Sequence, residues 1–266
     1  LQVADRSLPD STIISVNNED LQLPFYLHAD LPWVADEGSY LVTGGTSGFG
    51  LSLVQWLVSS GATHIFVLSR NPPGAVAQTF FDEHKSVSIQ HFSTDISDAK
   101  RVEEILKYIK EDAGSPPLIG IFHLATRYND KMIFNVTEES WNSVAEPKAY
   151  GALLLHQLTQ KLGITLKYFV ISSSIVTMIG SAGQVSYCAA NNFTNGLCQM
   201  RRHQGLPATA LCIGYINTIG YAAANNLVRA GEERGIMSIH PDEVLKAMQV
   251  AMTMGIPQLG IAGPLM

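Results

Sequence analysis

From Ser39 onward, short runs of β-branched and aromatic residues alternate with longer segments of helical period, and this restricts the fold more than any other feature. Strands are expected at 40–43, 64–69, 87–92, 119–124, 167–172, 209–213 and 259–262, with helices near 48–60, 97–112, 138–161, 184–204 and 241–254. Several of these strands are almost wholly apolar, as happens when helices cover both faces of a sheet. The pattern predicts a Rossmann-type α/β fold: a doubly wound parallel sheet of about seven strands with helices on both faces. A chain of 266 residues is long enough for one such domain, assigned here to residues 39–266. Residues 1–38 show no period and are punctuated by Pro9, Pro24 and Pro32, which reads as an extended lead-in or linker. Between 217 and 238 the alternation breaks in a stretch rich in Ala, Asn and Gly. A mobile lid and an ordinary surface excursion both fit that composition.

Composition excludes several function classes. The formal net charge of −6 argues against a nucleic-acid binder, which needs a basic surface. No apolar run approaches the ~20 residues that span a bilayer, so no membrane partner is expected. Residues 1–10 lack the basic-then-apolar pattern of a secretory signal, and the missing initial Met suggests a piece of something longer. Cys188, Cys198 and Cys212 have neither zinc nor C-x-x-C spacing. Free thiols in a reducing, cytoplasmic setting are therefore expected, with no metal site.

The first expected strand runs directly into Thr43-Gly44-Gly45-Thr46-Ser47-Gly48-Phe49-Gly50, and a helix follows near Leu51. A glycine cluster alone marks only a tight turn. Between a strand and a helix it lets the backbone approach a ligand, and the helix N-terminus can hold a pyrophosphate. The second strand ends in Ser69-Arg70 without an acidic residue to bind a ribose hydroxyl. Arginine there suits a 2′-phosphate, which favours NADPH over NADH. Asp95 and Ile96 follow the third strand, where such folds bracket the adenine; Asp95 equally suits an N-cap for the next helix.

The fifth strand ends in Ser172-Ser173-Ser174, delivered to the sheet's carboxyl edge where open α/β sheets bind ligands. Tyr187 lies thirteen residues past Ser174, and Asn191 four further on, one turn along the same helix face. Singly each residue is bland, but their joint placement points to a site.

With the glycine turn, these residues resemble the short-chain dehydrogenase/reductase superfamily, and within it the ketoreductase domains of polyketide synthases and animal-type fatty acid synthases. Gly180-Ser181-Ala182-Gly183-Gln184-x-x-Tyr187-x-Ala189-Ala190-Asn191 is similar to the family's Gly-x-x-Gly-Gln-x-x-Tyr-x-x-x-Asn stretch. His123-Leu124-Ala125-Thr126 sits where the family has a His-Ala-Ala-Gly-like segment. Most of the superfamily carries lysine four residues past the tyrosine; in the synthase ketoreductases lysine and asparagine exchange places. Here Asn191 holds the later position, and Lys148, in Glu146-Pro147-Lys148, matches the earlier one.

The resemblance implies NADPH-dependent reduction of a β-ketoacyl thioester carried by an acyl carrier protein, among neighbouring synthase domains. It implies that Tyr187 protonates the carbonyl oxygen, Ser174 holds it, Lys148 lowers the tyrosine pKa, and Asn191 fixes Lys148 or its water. It implies a cofactor site at Thr43, Gly44, Thr46, Ser47, Gly48, Phe49, Gly50, Ser69, Arg70, Asp95, Ile96, His123, Leu124 and Ala125. Asp130, in Tyr128-Asn129-Asp130, matches the last position of a segment linked to a D-configured hydroxyl. The opposite class has tryptophan eight residues before the tyrosine, where this chain has Ile179. Such domains pair with a truncated Rossmann-like half, for which residues 1–38 are too short except as a remnant. Arg201, Arg202 and Lys131 are the only basic candidates for contact with an acidic carrier, and each reads better as plain solvated surface. The 214–220 and 221–226 segments lean towards iterative, highly reducing synthases. Two alternatives stay open: a stand-alone reductase of a small ketone, indifferent to a carrier, and a non-catalytic scaffold, which would not bind NADPH.

Overall fold

The computed structural model describes residues 33–112, 114–220, 228–229 and 237–263. Its centre is a parallel sheet of β1 (Ser39–Thr43), β2 (His64–Ser69), β3 (Ser88–Ser93), β4 (Leu118–His123), β5 (Tyr168–Ser174), β6 (Thr209–Ile213) and β7 (Gln258–Ile261). The strand order is 3-2-1-4-5-6-7, so the order of winding reverses between β1 and β4 and opens a crevice at their carboxyl ends. All seven expected strands are present, with ends shifted by up to two residues.

The helices are α1 (Gly48–Ser59), α2 (Ala75–Glu83), α3 (Ala99–Glu111), α4 (Glu138–Ala145), α5 (Gly151–Lys161), a short α6 (Val176–Ile179), α7 (Val185–His203) and α8 (Pro241–Met254). Strand residues divide by parity. Tyr40, Val42, Ile65 and Val67 pack with Leu53, Val54 and Leu57 of α1 and Val244 and Met248 of α8. Leu41, Phe66, Leu68 and Ile121 face the other way, onto α3, α5 and α7. Each fully buried side chain of this kind contributes about 1.5–3 kcal/mol, which holds the doubly wound sheet between two helical layers. No helix among the described residues is long and apolar enough to cross a membrane.

Besides the one-turn α6, which no expected helix covered, three features differ from expectation. The turn Pro72-Pro73-Gly74 is followed by α2, which no expected helix covered. The single helix expected over 138–161 is interrupted at Glu146–Tyr150 by a π-helical turn. Pro147 has no N–H to give Ser143, so the i→i−4 ladder cannot continue through it. The third concerns the lead-in, described from Trp33 onward. Trp33 stacks on Trp56 with ring centroids 4.7 Å apart, and the Tyr168 hydroxyl donates to Asp36 Oδ2 at 2.6 Å. The end of the expected linker thus packs against the sheet's amino edge. Most of the expected lid, including 221–226, lies outside the described residues.

Candidate active site

The crevice beyond β1, β4 and β5 is a cleft of about 390 Å³. Its walls bring together most of the residues singled out from sequence: Gly44, Thr46, Ser47, Gly48, Phe49 and Gly50 of the first turn, Ser69 and Arg70 after β2, Asp95 and Ile96 after β3, Leu124 and Ala125 after β4, with Lys148, Ser174 and Tyr187. Thr43, His123, Asn191 and Asp130 do not line it.

The glycine turn is built for close approach. Gly44 has φ +74°, and a Cβ there would stand 3.1 Å from the Ala125 nitrogen. At Gly50 a Cβ would collide with the Gly44 carbonyl oxygen. Ser47, the N-cap of α1, makes no side-chain cap bond, and the first turn holds no acidic residue. The first N–H groups of α1 and its positive dipole end are therefore offered to the cleft.

Thr43 and His123 lie beneath this floor and brace it. Thr43 Oγ1 accepts from the Leu124 and Ala125 N–H groups at 3.2 Å each. His123 Nε2 lies 3.0 Å from the Lys148 carbonyl, and Nδ1 lies 2.8 Å from Thr43 Oγ1. A carbonyl only accepts, so Nε2 carries the proton and Thr43 donates to Nδ1. Burial and the nearby Lys148 cation push the His123 pKa down to about 3, so the ring is neutral.

At the carboxyl end of β2, Ser69 donates to the Asn71 carbonyl at 2.7 Å and bonds His91 Nε2 at 2.8 Å. Arg70 is exposed and has no ion-pair partner among the described residues. Asp95 is not the cap of α3. Its Oδ1 accepts from Ser97 N and Oγ, while Asp98 caps the helix through Arg101 N.

Lys148 stands on the π-helical turn, only 1% exposed. Its ammonium donates to the Ser172 carbonyl at 2.8 Å and to Ser172 Oγ at 3.0 Å. Burial alone lowers its pKa to about 7. Asn191, expected to fix Lys148, is turned elsewhere: Nδ2 donates to the Tyr187 carbonyl at 2.8 Å, and Oδ1 is buried without a hydrogen-bond partner among the described residues. Tyr187 is 8% exposed, and burial raises its pKa against the lowering expected from Lys148. The Tyr128, Ser174 and Asn191 side chains pull the other way.

Sequence reasoning missed three members of the site. Ser172 anchors Lys148, and strand parity was its signal, because 172 shares a face with 174. Gln184 donates to Asp130 Oδ2 at 3.1 Å, tying the loop after β4 across the cleft mouth. Tyr128 lies with its hydroxyl 3.4 Å from that of Tyr187. Of the basic candidates, Arg201 is not surface at all. It is 2% exposed, with its guanidinium 3.9 Å above the Phe169 ring and bonded to Pro207 O and His156 Nδ1.

Residues 38–218 match the KR domain family. The chain belongs to the KR domain family. As a KR domain it is 32% identical over 228 residues to a compactin diketide synthase of Penicillium citrinum, covering 84% of this chain and 8% of that protein. It is 35% identical over 213 residues to a highly reducing polyketide synthase of Gibberella zeae, covering 79% and 8%. The KR domain thus spans under a tenth of these relatives' length. Among solved structures it superposes on A-type ketoreductases from a modular polyketide synthase with TM-score 0.78 at 26% identity, covering 89% of this chain and 50% of that one. The relatives are polyketide synthases, and the structural neighbours are polyketide synthase ketoreductases of the short-chain dehydrogenase/reductase superfamily.

Proposed function

We propose that residues 39–266 form an NADPH-dependent ketoreductase that reduces a carrier-bound β-ketoacyl thioester to the β-hydroxyacyl thioester within a polyketide or fatty acid synthase. The observation that carries this reading is the convergence of Tyr187, Ser174 and Lys148 in one cleft with the glycine turn. The residues fit a dinucleotide: a glycine at 50 where any side chain would strike backbone, and an α1 N-terminus with no side chain capping it. The turn from Gly44 to Gly50 would hold the pyrophosphate, Arg70 the 2′-phosphate, and Asp95 and Ile96 the adenine. When bound, the cofactor supplies a hydride equivalent for the carbonyl carbon.

The chain's own residues manage the oxygen. Ser174 donates a hydrogen bond to the carbonyl oxygen, and Tyr187 transfers its phenolic proton as negative charge develops there. Lys148, held by Ser172, places its cation in the same cleft and favours the ionised tyrosine that remains. NADPH oxidation by the purified chain with a β-ketoacyl thioester tests the reading, and absence of both turnover and NADPH binding would refute it.

Arg70 is the cofactor-selecting residue in this account. Arg70→Gln is expected to raise the KM for NADPH by about 10–100-fold, the loss of a charge-assisted phosphate contact, and to leave the KM for NADH nearly unchanged. Equal losses for both cofactors would remove Arg70 from this role. The acyl carrier protein and neighbouring synthase domains are the proposed partners, and the buried Arg201 takes no part in docking. Asp130, clamped to Gln184, is assigned to facial selection. The expected product is the D-hydroxy thioester, read by chiral chromatography; an L-hydroxy product would overturn that assignment.

A further inference from the structure

We propose that Tyr128 is a positioning residue for Tyr187, holding its ring and donating a hydrogen bond to it when it is ionised. This rests on the ketoreductase reading above and goes beyond it, because the resemblance gives a role to Asp130 in that segment and none to Tyr128.

The two rings lie 4.8 Å apart at 34°, with their hydroxyl oxygens separated by 3.4 Å. Tyr128 reaches this position from the loop after β4, and that loop is fixed over the three residues that follow it. Asn129 Nδ2 donates to Ser143 Oγ at 3.1 Å. The Lys131 N–H donates to the Gly183 carbonyl at 2.7 Å, next to the Gln184 contact with Asp130. The segment that carries Tyr128 is thus held beside Tyr187 by contacts that do not involve Tyr187.

The chemistry of the pair is asymmetric. While both phenols are protonated, either can donate, and the bond is an ordinary neutral one. Once Tyr187 has given up its proton it can only accept, so the Tyr128 O–H must donate. That bond is then charge-assisted and stronger. Stabilisation that grows as the proton leaves favours the ionised form and lowers the Tyr187 pKa. The other groups facing Tyr187 are Ser174 from β5, Asn191 and Cys188 from its own helix, Lys148 from the π-helical turn, and Asp130 from the Tyr128 loop. Asp130 acts in the opposite sense, since a nearby negative charge raises the pKa.

The test is the pH profile of NADP⁺-dependent oxidation of a β-hydroxybutyryl N-acetylcysteamine thioester by the chain. In this direction the substrate hydroxyl loses its proton to ionised Tyr187, so the rate rises with pH through the Tyr187 pKa. Tyr128→Phe keeps the ring and removes the donor. Its rising limb is expected to move up by about one pH unit, which makes oxidation near pH 7.5 about tenfold slower. The thioester KM should stay within about twofold, because the lost hydroxyl donates to Tyr187 and not to the substrate. Tyr128→Leu removes the packed ring as well as the donor and should move the limb at least as far. Superimposable profiles, or a raised KM with an unmoved limb, would overturn the role of Tyr128. If wild-type chain neither oxidises nor reduces, the ketoreductase reading itself fails; if wild type is active, Tyr187→Phe is dead and the Tyr128→Phe profile is unmoved, only this inference fails.

Discussion

Tyr187→Phe is expected to lower the rate of β-ketothioester reduction by about 10³-fold or more while leaving NADPH binding within about twofold. The phenol is the acid best placed in the cleft, and general acid catalysis by a positioned group accounts for about 10²–10⁴-fold. The substitution removes one oxygen and keeps the ring, which packs with Val144, Ala149, Val176 and Ala190. Neither the glycine turn nor Arg70 touches the lost hydroxyl, so the cofactor should bind as before. Turnover under saturating NADPH and a fluorescence titration separate the two quantities. Near-normal turnover would remove Tyr187 from proton transfer, and a parallel loss of NADPH binding would mean that the cleft had collapsed.

Reading this chain from sequence worked where a local pattern determines the outcome. The central strands β1, β2, β4 and β6 are buried on both faces, so their apolar runs survive any detail of packing, and the order of elements leads to a doubly wound sheet. The glycine turn was legible for a related reason: its geometry depends on residues adjacent in the chain. The misreadings come from contacts between distant segments. Helix α2 has only one fully buried residue, Ala77, and so carries little periodic signal. Arg201 sits beside Arg202 and His203 and looked like a solvated last turn. Yet it follows Leu197 and Cys198 by four and three residues, which puts it on the inward face of α7.

The site shows the same division. Tyr187 and Asn191 share a helix, and their spacing alone placed them together. Lys148 entered by resemblance, and nothing local to residue 148 indicates that its ammonium ends on Ser172, a residue of β5. That partner exists because β4 and β5 pair while the π-helical turn leans over their carboxyl ends. Tyr128 is subtler still. Its segment was singled out for Asp130, whereas the ring contact with Tyr187 depends on how the loop after β4 is tied to Ser143, Gly183 and Gln184.

Lys148→Met is expected to abolish reduction, by about 10²-fold or more, and at the same time to make the protein more stable near neutral pH. The loss of activity follows from removing the cation that favours ionised Tyr187. The gain follows from burial. Lys148 is 1% exposed, and its pKa falls from 10.5 to about 7 because burial penalises the charged form. In the unfolded chain the same lysine binds its proton up to about 10.5, so between about 7 and 10.5 unfolding takes up a proton and stability rises with pH. Below about 7 the full penalty is present, a difference of roughly 4 kcal/mol at pH 7. Methionine has a similar length and carries no charge. It leaves the Ser172 carbonyl and hydroxyl without their donor, which costs about 2 kcal/mol, so a net gain of about 2 kcal/mol remains. For a domain of this size that is a rise in Tm of about 5 °C. The difference between variant and wild type should be largest at pH 7 and below, and should shrink towards zero near pH 9 as wild type sheds its penalty. A variant less stable at pH 7, or a Tm difference independent of pH, would show that the ammonium is well solvated or paired in the folded chain. A more stable but inactive variant would mark Lys148 as a residue whose burial costs stability and whose charge the reaction requires.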